Sequence, residues 1–353
     1  MQEKSFKIFL EELRSQNKVF VSYNFPNSDV VNVIIQENDI LYTTSNFNEE
    51  AFVFAPFDTD RKAVIIPFNK AEIYSFSLKD VIKDLGEIES KNYELESSLS
   101  QEEYTTIIEK AKTKIAAKNL QKVVLSRRIK LDFENKNTVS VFLQLLKKHP
   151  STFTYLWHHP KVGIWLGATP EKLLSVNENI LETMALAGTQ LAKKESDLNW
   201  ENKEKQEQQF VTDYISKALS DIKLPLKTGK PFNLKAGNLW HICTKITGTL
   251  THNSAIKNLI EALHPTPAVA GLPKQKAIDF ILENEQYKRS YYTGFLGILD
   301  KKNESKLFVN LRCMQIENKK AFVYVGGGIT ADSNAESEWH ETSAKSQTLL
   351  QLL

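Results

Sequence analysis

Lys122 is charged and stands where a core strand is expected. The run Gln121-Lys122-Val123-Val124-Leu125-Ser126-Arg127 is β-branched and apolar at its centre, the pattern of a buried strand. Alternate strand residues share a face, so Lys122 points the same way as Val124 and Ser126. Burial beside valine strips the charged form of its hydration and lowers its pKa, which makes an ammonium usable as a general base. The competing reading is a strand-end lysine that snorkels to water.

Two carboxylate pairs come next. Phe210, Val211, Tyr214, Ile215, Ala218, Leu219 and Ile222 form a helical apolar stripe. One turn back the stripe lands on Glu207, with Glu204 three residues before it. In the C-terminal helix, Ser333 and Glu336 have capping-box spacing. Glu338, Glu341, Lys345 and Leu349 then follow on one face. Two carboxylates from each of two helices suit a hard divalent cation, Mg²⁺ before others. The alternative is ordinary helix ion pairing, Glu341 with Lys345. No Cys/His cluster has zinc spacing.

Three further features carry chemistry or a bland alternative. Gly326-Gly327-Gly328 ends an apolar strand in a chain with 13 glycines; a tight turn whose N–H groups cradle an anion is expected there, or merely a turn. Glu171 follows Gly167-Ala168-Thr169-Pro170 and is either a cleft-facing carboxylate at a strand end or a first-turn helix Glu. Arg312 follows Leu307-Phe308-Val309-Asn310-Leu311 in a chain whose basic charge is mostly lysine. Its planar fork suits a carboxylate or a structural ion pair. His241 alternates with Leu239 and Cys243 and reads by default as a satisfied core histidine.

The elements that must position these residues form no regular βαβ alternation. Strands are expected at Val30-Ile35, Ala51-Ala55, Ala63-Pro67, Phe153-His158, Gly163-Leu166, Leu181-Leu186, Leu239-Lys245, Gly294-Leu299, Leu307-Ile316 and Ala321-Val325. Helices are expected through Glu102-Ala117 (capped by Ser98 or Ser100), Val139-Lys148, the segment after Lys203, Ala255-Leu263, Lys274-Leu282 and Asn334 onward. Such an order predicts an α+β fold. Residues 1–95 are expected to be a divergent N-terminal part of the fold, and 96–353 its catalytic region.

With 353 residues, 41% hydrophobic and 25% charged, the chain has the composition of a soluble globular protein with ample core. A net charge of +2 gives no electrostatic reason for nucleic acid or an anionic membrane as partner. Cys243 and Cys313 are the only cysteines, which suits a reducing compartment. The N-terminus has no apolar h-region and no run is long enough to span a bilayer, so a cytoplasmic protein is expected.

In order along the chain, Lys122-Val123-Val124-Leu125-Ser126-Arg127, Gly167-Ala168-Thr169-Pro170-Glu171, Leu186-Ala187-Gly188-Thr189, Lys203 to Glu207, Leu239-Trp240-His241, Leu263-His264-Pro265-Thr266-Pro267-Ala268-Val269, Gly294-Phe295-Leu296-Gly297, Arg312, Gly326-Gly327-Gly328-Ile329 and Glu338-Trp339-His340-Glu341-Thr342 with Lys345 resemble the chorismate-utilising enzymes. These include isochorismate synthase, salicylate synthase, anthranilate synthase component I and aminodeoxychorismate synthase component I. The resemblance covers residues from about 100 to the end and only loosely the first 95.

It implies one large fold of two packed antiparallel sheets with helices outside, and a site binding chorismate with Mg²⁺. By position, Glu207 and Glu341 are implied as metal ligands, with Glu204 and Glu338 beside them. Lys345 and the glycines Gly326 and Gly328 would help hold the ring carboxylate. Arg312, Gly188 and Thr189 would bind the enolpyruvyl carboxylate, and His241 and Tyr292 would lie near the ring. Lys122 is implied as base toward water and Glu171 as acid toward the leaving C4 hydroxyl.

Relatives that aminate chorismate carry Gln at the Lys122 position, and aminodeoxychorismate synthases often carry Lys at that of Ala187. Both departures point to water as nucleophile, hence to isochorismate synthase, for menaquinone or a catechol siderophore, menaquinone before the other. Salicylate synthase and a glutaminase-dependent anthranilate synthase component are the rivals. Gln190 stands where many relatives have Arg. A monomer is expected.

Overall fold

Strands buried on both faces read as nearly continuous apolar runs, and this chain uses that device repeatedly. The computed structural model describes residues 5–83, 85, 94–133, 138–236, 239–250, 256–300 and 304–353. In strand Ala51–Ala55, Phe52 and Phe54 face one core while Ala51, Val53 and Ala55 face another. Phe153–His159 divides likewise, with Phe153, Tyr155 and Trp157 on one side and Leu156 on the other.

Among the described residues these strands build two antiparallel sheets of ten strands each. The first has at its centre Lys122–Asp132, Lys320–Ile329, Cys313–Glu317, Gly163–Thr169 and Phe153–His159. The second contains Ile180–Leu191, Leu239–Thr249, Lys172–Asn177, Glu304–Val309 and Phe295–Leu299. An aromatic core, with Phe54, Trp157, Trp165 and Phe308, lies between them. Helix Thr138–Lys148 covers the outer face of the first sheet, and helices Asn202–Asp221 and Ile256–Leu263 that of the second. The α+β expectation and the two packed sheets are therefore what the chain adopts.

The N-terminal region completes both sheets. Phe20–Asn24 pairs with Phe153–His159, and Ala51–Ala55 with Phe295–Leu299.

Local expectations hold where side-chain chemistry is local. Ser100 caps helix Gln101–Ala116 through a capping box with Glu103. The helix expected from Ala255 begins at Ile256 among the described residues, and Ala255 lies outside them.

Three local expectations fail. Leu307–Ile316 is two strands in different sheets, Glu304–Val309 and Cys313–Glu317, because the chain changes sheet at 310–312. The C-terminal helix is capped by Asn334, whose side chain accepts from Ser337 N at 3.0 Å; Ser333 instead donates to the buried Glu338 Oε1 at 2.7 Å. Gly326-Gly327-Gly328 is no turn but continues strand Lys320–Ile329, paired with Ser126, Leu125 and Val124. What requires glycine there is space: a Cβ on Gly326 would lie 2.9 Å from the Tyr292 hydroxyl, and one on Gly327 2.9 Å from Glu338 Oε2.

Candidate active site

The Lys122 strand begins at the rim of the first sheet, where Gly271–Leu272 closes over it. Val123 and Leu125 turn into the core beneath helices Gln101–Ala116 and Lys274–Asn284. Strand alternation then aims Lys122, Val124 and Ser126 at the opposite side. Lys122 is fully buried. Its ammonium lies 2.8 Å from Glu207 Oε1, an ion pair without hydrogen-bond angles.

Val124 lines a cavity whose walls include Glu171, Gly188, Thr189, Glu207, His241, Tyr292, Arg312, Gly326, Gly328, Glu341 and Lys345. The tertiary fold thus gathers eleven of the fourteen expected site residues around one space. Three stand back from it. Lys122 lies behind Glu207. Glu204 caps its own helix, accepting from Glu201 N at 3.0 Å, with its Cβ under Gly188. Glu338 is buried beneath Gly327, with Oε1 taking Ser333 Oγ and Lys203 Nζ, each at 2.7 Å. The free volume of the cavity is about 80 Å³, below the ~300 Å³ at which ligand pockets begin. A ring-sized ligand therefore requires lining side chains to withdraw.

Glu171 sits between strands Gly163–Thr169 and Lys172–Asn177, and no helix follows it, so the first-turn reading is excluded. Burial pushes its carboxyl up to about 8, only partly opposed by the Lys122 charge. At neutral pH it is a proton donor facing the cavity.

His241 is neutral and oriented. Burial, aided by the Arg312 charge, pushes it down to about 3. Nδ1–H donates to Gly188 O at 2.8 Å, which leaves Nε2 as the acceptor facing Arg312 Nη2 at 3.4 Å. Gly188 has φ +70° within a bulge of its strand, a conformation that costs other residues about 1–2 kcal/mol. Arg312 has φ 45° without being glycine. That left-handed kink, where the chain changes sheet, turns the guanidinium into the cavity. Its Nη1 donates to Thr348 Oγ1 at 3.1 Å. Burial lowers Arg312 to about 10, so it stays cationic, and no carboxylate pairs with it among the described ion pairs. Among the described residues Arg312 is therefore in no ion pair within 4 Å.

Glu207, Glu338 and Glu341 each take a lysine: Lys122 at 2.8 Å, Lys203 at 2.7 Å and Lys345 at 2.6 Å. Burial, the largest influence, would raise Glu341, but the charge and hydrogen bond of Lys345 with the charges of Lys203 and Arg312 together hold the carboxyl below its ordinary range. Glu338 is raised by burial and by the nearby Glu341 charge. Among the described residues no group of three or more His, Cys, Asp or Glu converges on one point. The donors are nevertheless all carboxylate oxygens, and the buried Glu338 Oε2 has no hydrogen-bond partner. The set fits a hard cation in chemistry, with lysines supplying the counter-charge.

Sequence reading missed the brace behind the Lys122 strand. Glu285 Oε1 accepts from Ser126 N at 2.8 Å, and pairs with Arg289 Nη2 at 2.5 Å. Arg289 also donates to Val124 O at 2.7 Å and to Val269 O at 2.8 Å. The i,i+4 spacing of Glu285 and Arg289 was the available signal. Gln190, whose role the sequence left open, exchanges two hydrogen bonds with the Asn199 backbone, at 2.8 and 3.0 Å, and does not line the cavity.

A family model described as chorismate binding enzyme matches residues 62–353, so the chain belongs to the chorismate-binding enzymes. It is 28% identical over 314 residues to anthranilate synthase component 1 of Saccharolobus solfataricus, covering 85% of this chain and 74% of that protein. It is 29% identical to isochorismate synthase MenF of Bacillus subtilis, covering 79% of this chain and 61% of that protein. It is 30% identical to isochorismate synthase DhbC of the same organism, covering 74% and 70%. The chain thus spans between 61% and 74% of these relatives' own lengths. Its fold is that of the menaquinone-specific isochorismate synthase MenF from Escherichia coli, with a TM-score of 0.78 at 22% identity over 95% of this chain and 88% of that one. Anthranilate synthase component I from Streptococcus pneumoniae shares it at a TM-score of 0.71 and 19% identity, over 94% and 90%. No helix among the described residues is long and apolar enough to cross a membrane.

Proposed function

We propose that the chain is an isochorismate synthase, adding water at C2 of chorismate and expelling the C4 hydroxyl. One observation carries the reading: a fully buried lysine, Lys122, lies within electrostatic reach of Glu171, a carboxyl that burial keeps protonated at neutral pH. To act as base, Lys122 must be the neutral amine, released from its ion pair with Glu207; it then accepts a proton from water as that water's oxygen bonds to C2. Glu171 gives its proton to the departing hydroxyl, which leaves as water. A base and a protonated acid at one site are what such an exchange needs. The cationic Arg312, with Gly188 and Thr189, binds the enolpyruvyl carboxylate, and neutral His241 holds the guanidinium fork in place. Mg²⁺, taken by Glu207 and Glu341 with Glu204 and Glu338 beside them, would supply positive charge for the ring carboxylate. Lys345 serves the same carboxylate from the side.

Supply of isochorismate for menaquinone, or failing that for a catechol siderophore, is the corresponding use. The anthranilate synthase relatives favour a second reading, amination with a glutaminase partner, against which Lys122 in place of Gln speaks. Incubation with chorismate and Mg²⁺, with products separated by liquid chromatography, tests the proposal. Isochorismate is expected. Salicylate with pyruvate, or anthranilate formed only with ammonia, would overturn it.

A further inference from the structure

Strand Lys122–Asp132 has Lys320–Ile329 along one edge, from Val123 to Asp132. Its other edge is covered in two pieces. Gly271–Leu272 pairs with Val123 and Lys122, and Glu96–Ser97 with Lys130 and Ile129. Val124 N still reaches Ala270 O at 2.8 Å, and the Arg128 backbone bonds to Ser98 on both sides of its peptide. Between these, among the described residues, no strand meets Val124 O or Ser126 N. Buried backbone groups of this kind must find a partner elsewhere.

Two side chains take the place of the missing strand. Arg289 Nη2 donates to Val124 O at 2.7 Å, and Glu285 Oε1 accepts from Ser126 N at 2.8 Å. Ser126 Oγ donates to the same oxygen at 2.7 Å. Both side chains are 2% exposed, and they bond to one another, Nε to Oε2 at 2.8 Å and Nη2 to Oε1 at 2.5 Å. As an ion pair they bring no net charge to the cavity; what they contribute is geometry.

Arg289 reaches further. Its Nη1 donates to Val269 O at 2.8 Å and to Thr293 Oγ1 at 3.3 Å. The five N–H donors of a guanidinium are thereby matched by five acceptor atoms. Val124, Val269 and Thr293 all line the active-site cavity, and they come from three separate segments. One planar group thus fixes the spacing of three walls, one of them two residues along the strand from Lys122. A lysine, a point charge with three donors, cannot serve five acceptors.

We propose that Glu285 and Arg289 are positioning residues of the active site: standing in for the missing strand, they hold the Lys122 strand in place against the walls at Val269 and Thr293, and so set where the attacking water meets its base. This rests on the reaction proposed above.

The full chain is assayed with chorismate and Mg²⁺, and rates are divided by the number of chorismate-binding sites counted by fluorescence titration. Arg289→Lys is expected to lose at least tenfold in kcat per site, as misplacement by a remote substitution can. Chorismate Kd should stay within about threefold, because Arg312 and Lys345 lie outside the contacts of the pair. Glu285→Asp keeps a charge beside Arg289 but falls one methylene short of Ser126 N, and should lose at least threefold per site. It serves as the test should Arg289→Lys fail to fold. A merely structural pair would lower the unfolding temperature and the number of binding sites but leave the rate per site unchanged; that result in either folded variant would overturn the proposal. So would a loss of chorismate affinity equal to the loss of rate. No turnover by wild type would instead overturn the reaction itself, and this role with it.

Discussion

Lys122 and Glu207 form a 2.8 Å ion pair directly over Gly328, with Glu207 on the cavity wall and Lys122 behind it. A Cβ on Gly328 would overlap Glu207 Oε1 and lie 2.8 Å from Lys122 Cε. The glycine is what lets base and carboxylate meet across two elements. Breaking a buried pair by taking away one partner typically costs 3–5 kcal/mol, so the geometry bears on stability as well as on turnover.

Gly328→Ala is expected to separate the pair. Overpacking of this kind costs about 1–3 kcal/mol. Urea denaturation should show that loss, and turnover should fall at least tenfold. Wild-type stability with wild-type turnover would contradict the close approach described.

Lys122→Gln is expected to remove isochorismate formation by 10²–10⁴-fold, the usual contribution of a general base. Chorismate affinity, followed by tryptophan fluorescence, should change little, because Lys122 lies behind Glu207 and not on the cavity wall. Turnover near that of wild type would remove the base assignment.

Glu171 links activity and stability to pH. Its carboxyl titrates at about 8 in the folded chain, against an ordinary 4.5. Between those values the unfolded chain has released this proton while the folded chain retains it, so stability contributed here falls as pH rises from about 4.5 to about 8 and then levels off. Glu171→Gln should therefore be more stable than wild type at pH 9, by an amount that shrinks toward pH 5. Turnover of wild type should decline above about pH 8 as the donor ionises. Thermal unfolding at the two pH values and a pH–rate profile check both arms.

Arg312→Lys keeps the charge but loses the fork that faces His241 and Thr348. KM for chorismate is expected to rise at least tenfold with a smaller change in kcat, since the proposed role of the guanidinium is to bind substrate and not to transfer a proton. A fall in kcat at constant KM would place Arg312 in the chemical step instead.

Chelation bears on the carboxylate set. EDTA is expected to stop turnover and Mg²⁺ to restore it, while Glu341→Gln should need at least tenfold more Mg²⁺ for half-maximal rate. Full activity in EDTA would remove the metal from the reaction.

What was legible in the sequence was local. Strand side-chain alternation put Lys122, Val124 and Ser126 on one face, and the Ser100–Glu103 box fixed a helix start. The helix stripe showed Glu207 at its edge, although the buried residues proved to be Gln208, Val211, Thr212, Ile215 and Leu219, with Ile222 36% exposed. The stripe narrowed because the buried Gln208 donates to the hydroxyls of Thr212 and Thr244, contacts no periodicity reveals.

By itself, the sequence determined which residue types stand at strand ends and on helix faces, because side-chain direction follows from backbone repeat alone. Only the tertiary structure decided that Gly326-Gly327-Gly328 is strand and not turn, since the neighbours that exclude a Cβ there, Tyr292, Glu338 and Glu207, come from elsewhere in the chain. It likewise decided that Arg312 turns inward where the chain changes sheet, and that Glu285 braces Ser126 from 159 residues away. Those are consequences of space and of partners distant along the chain, and neither is written in any local pattern.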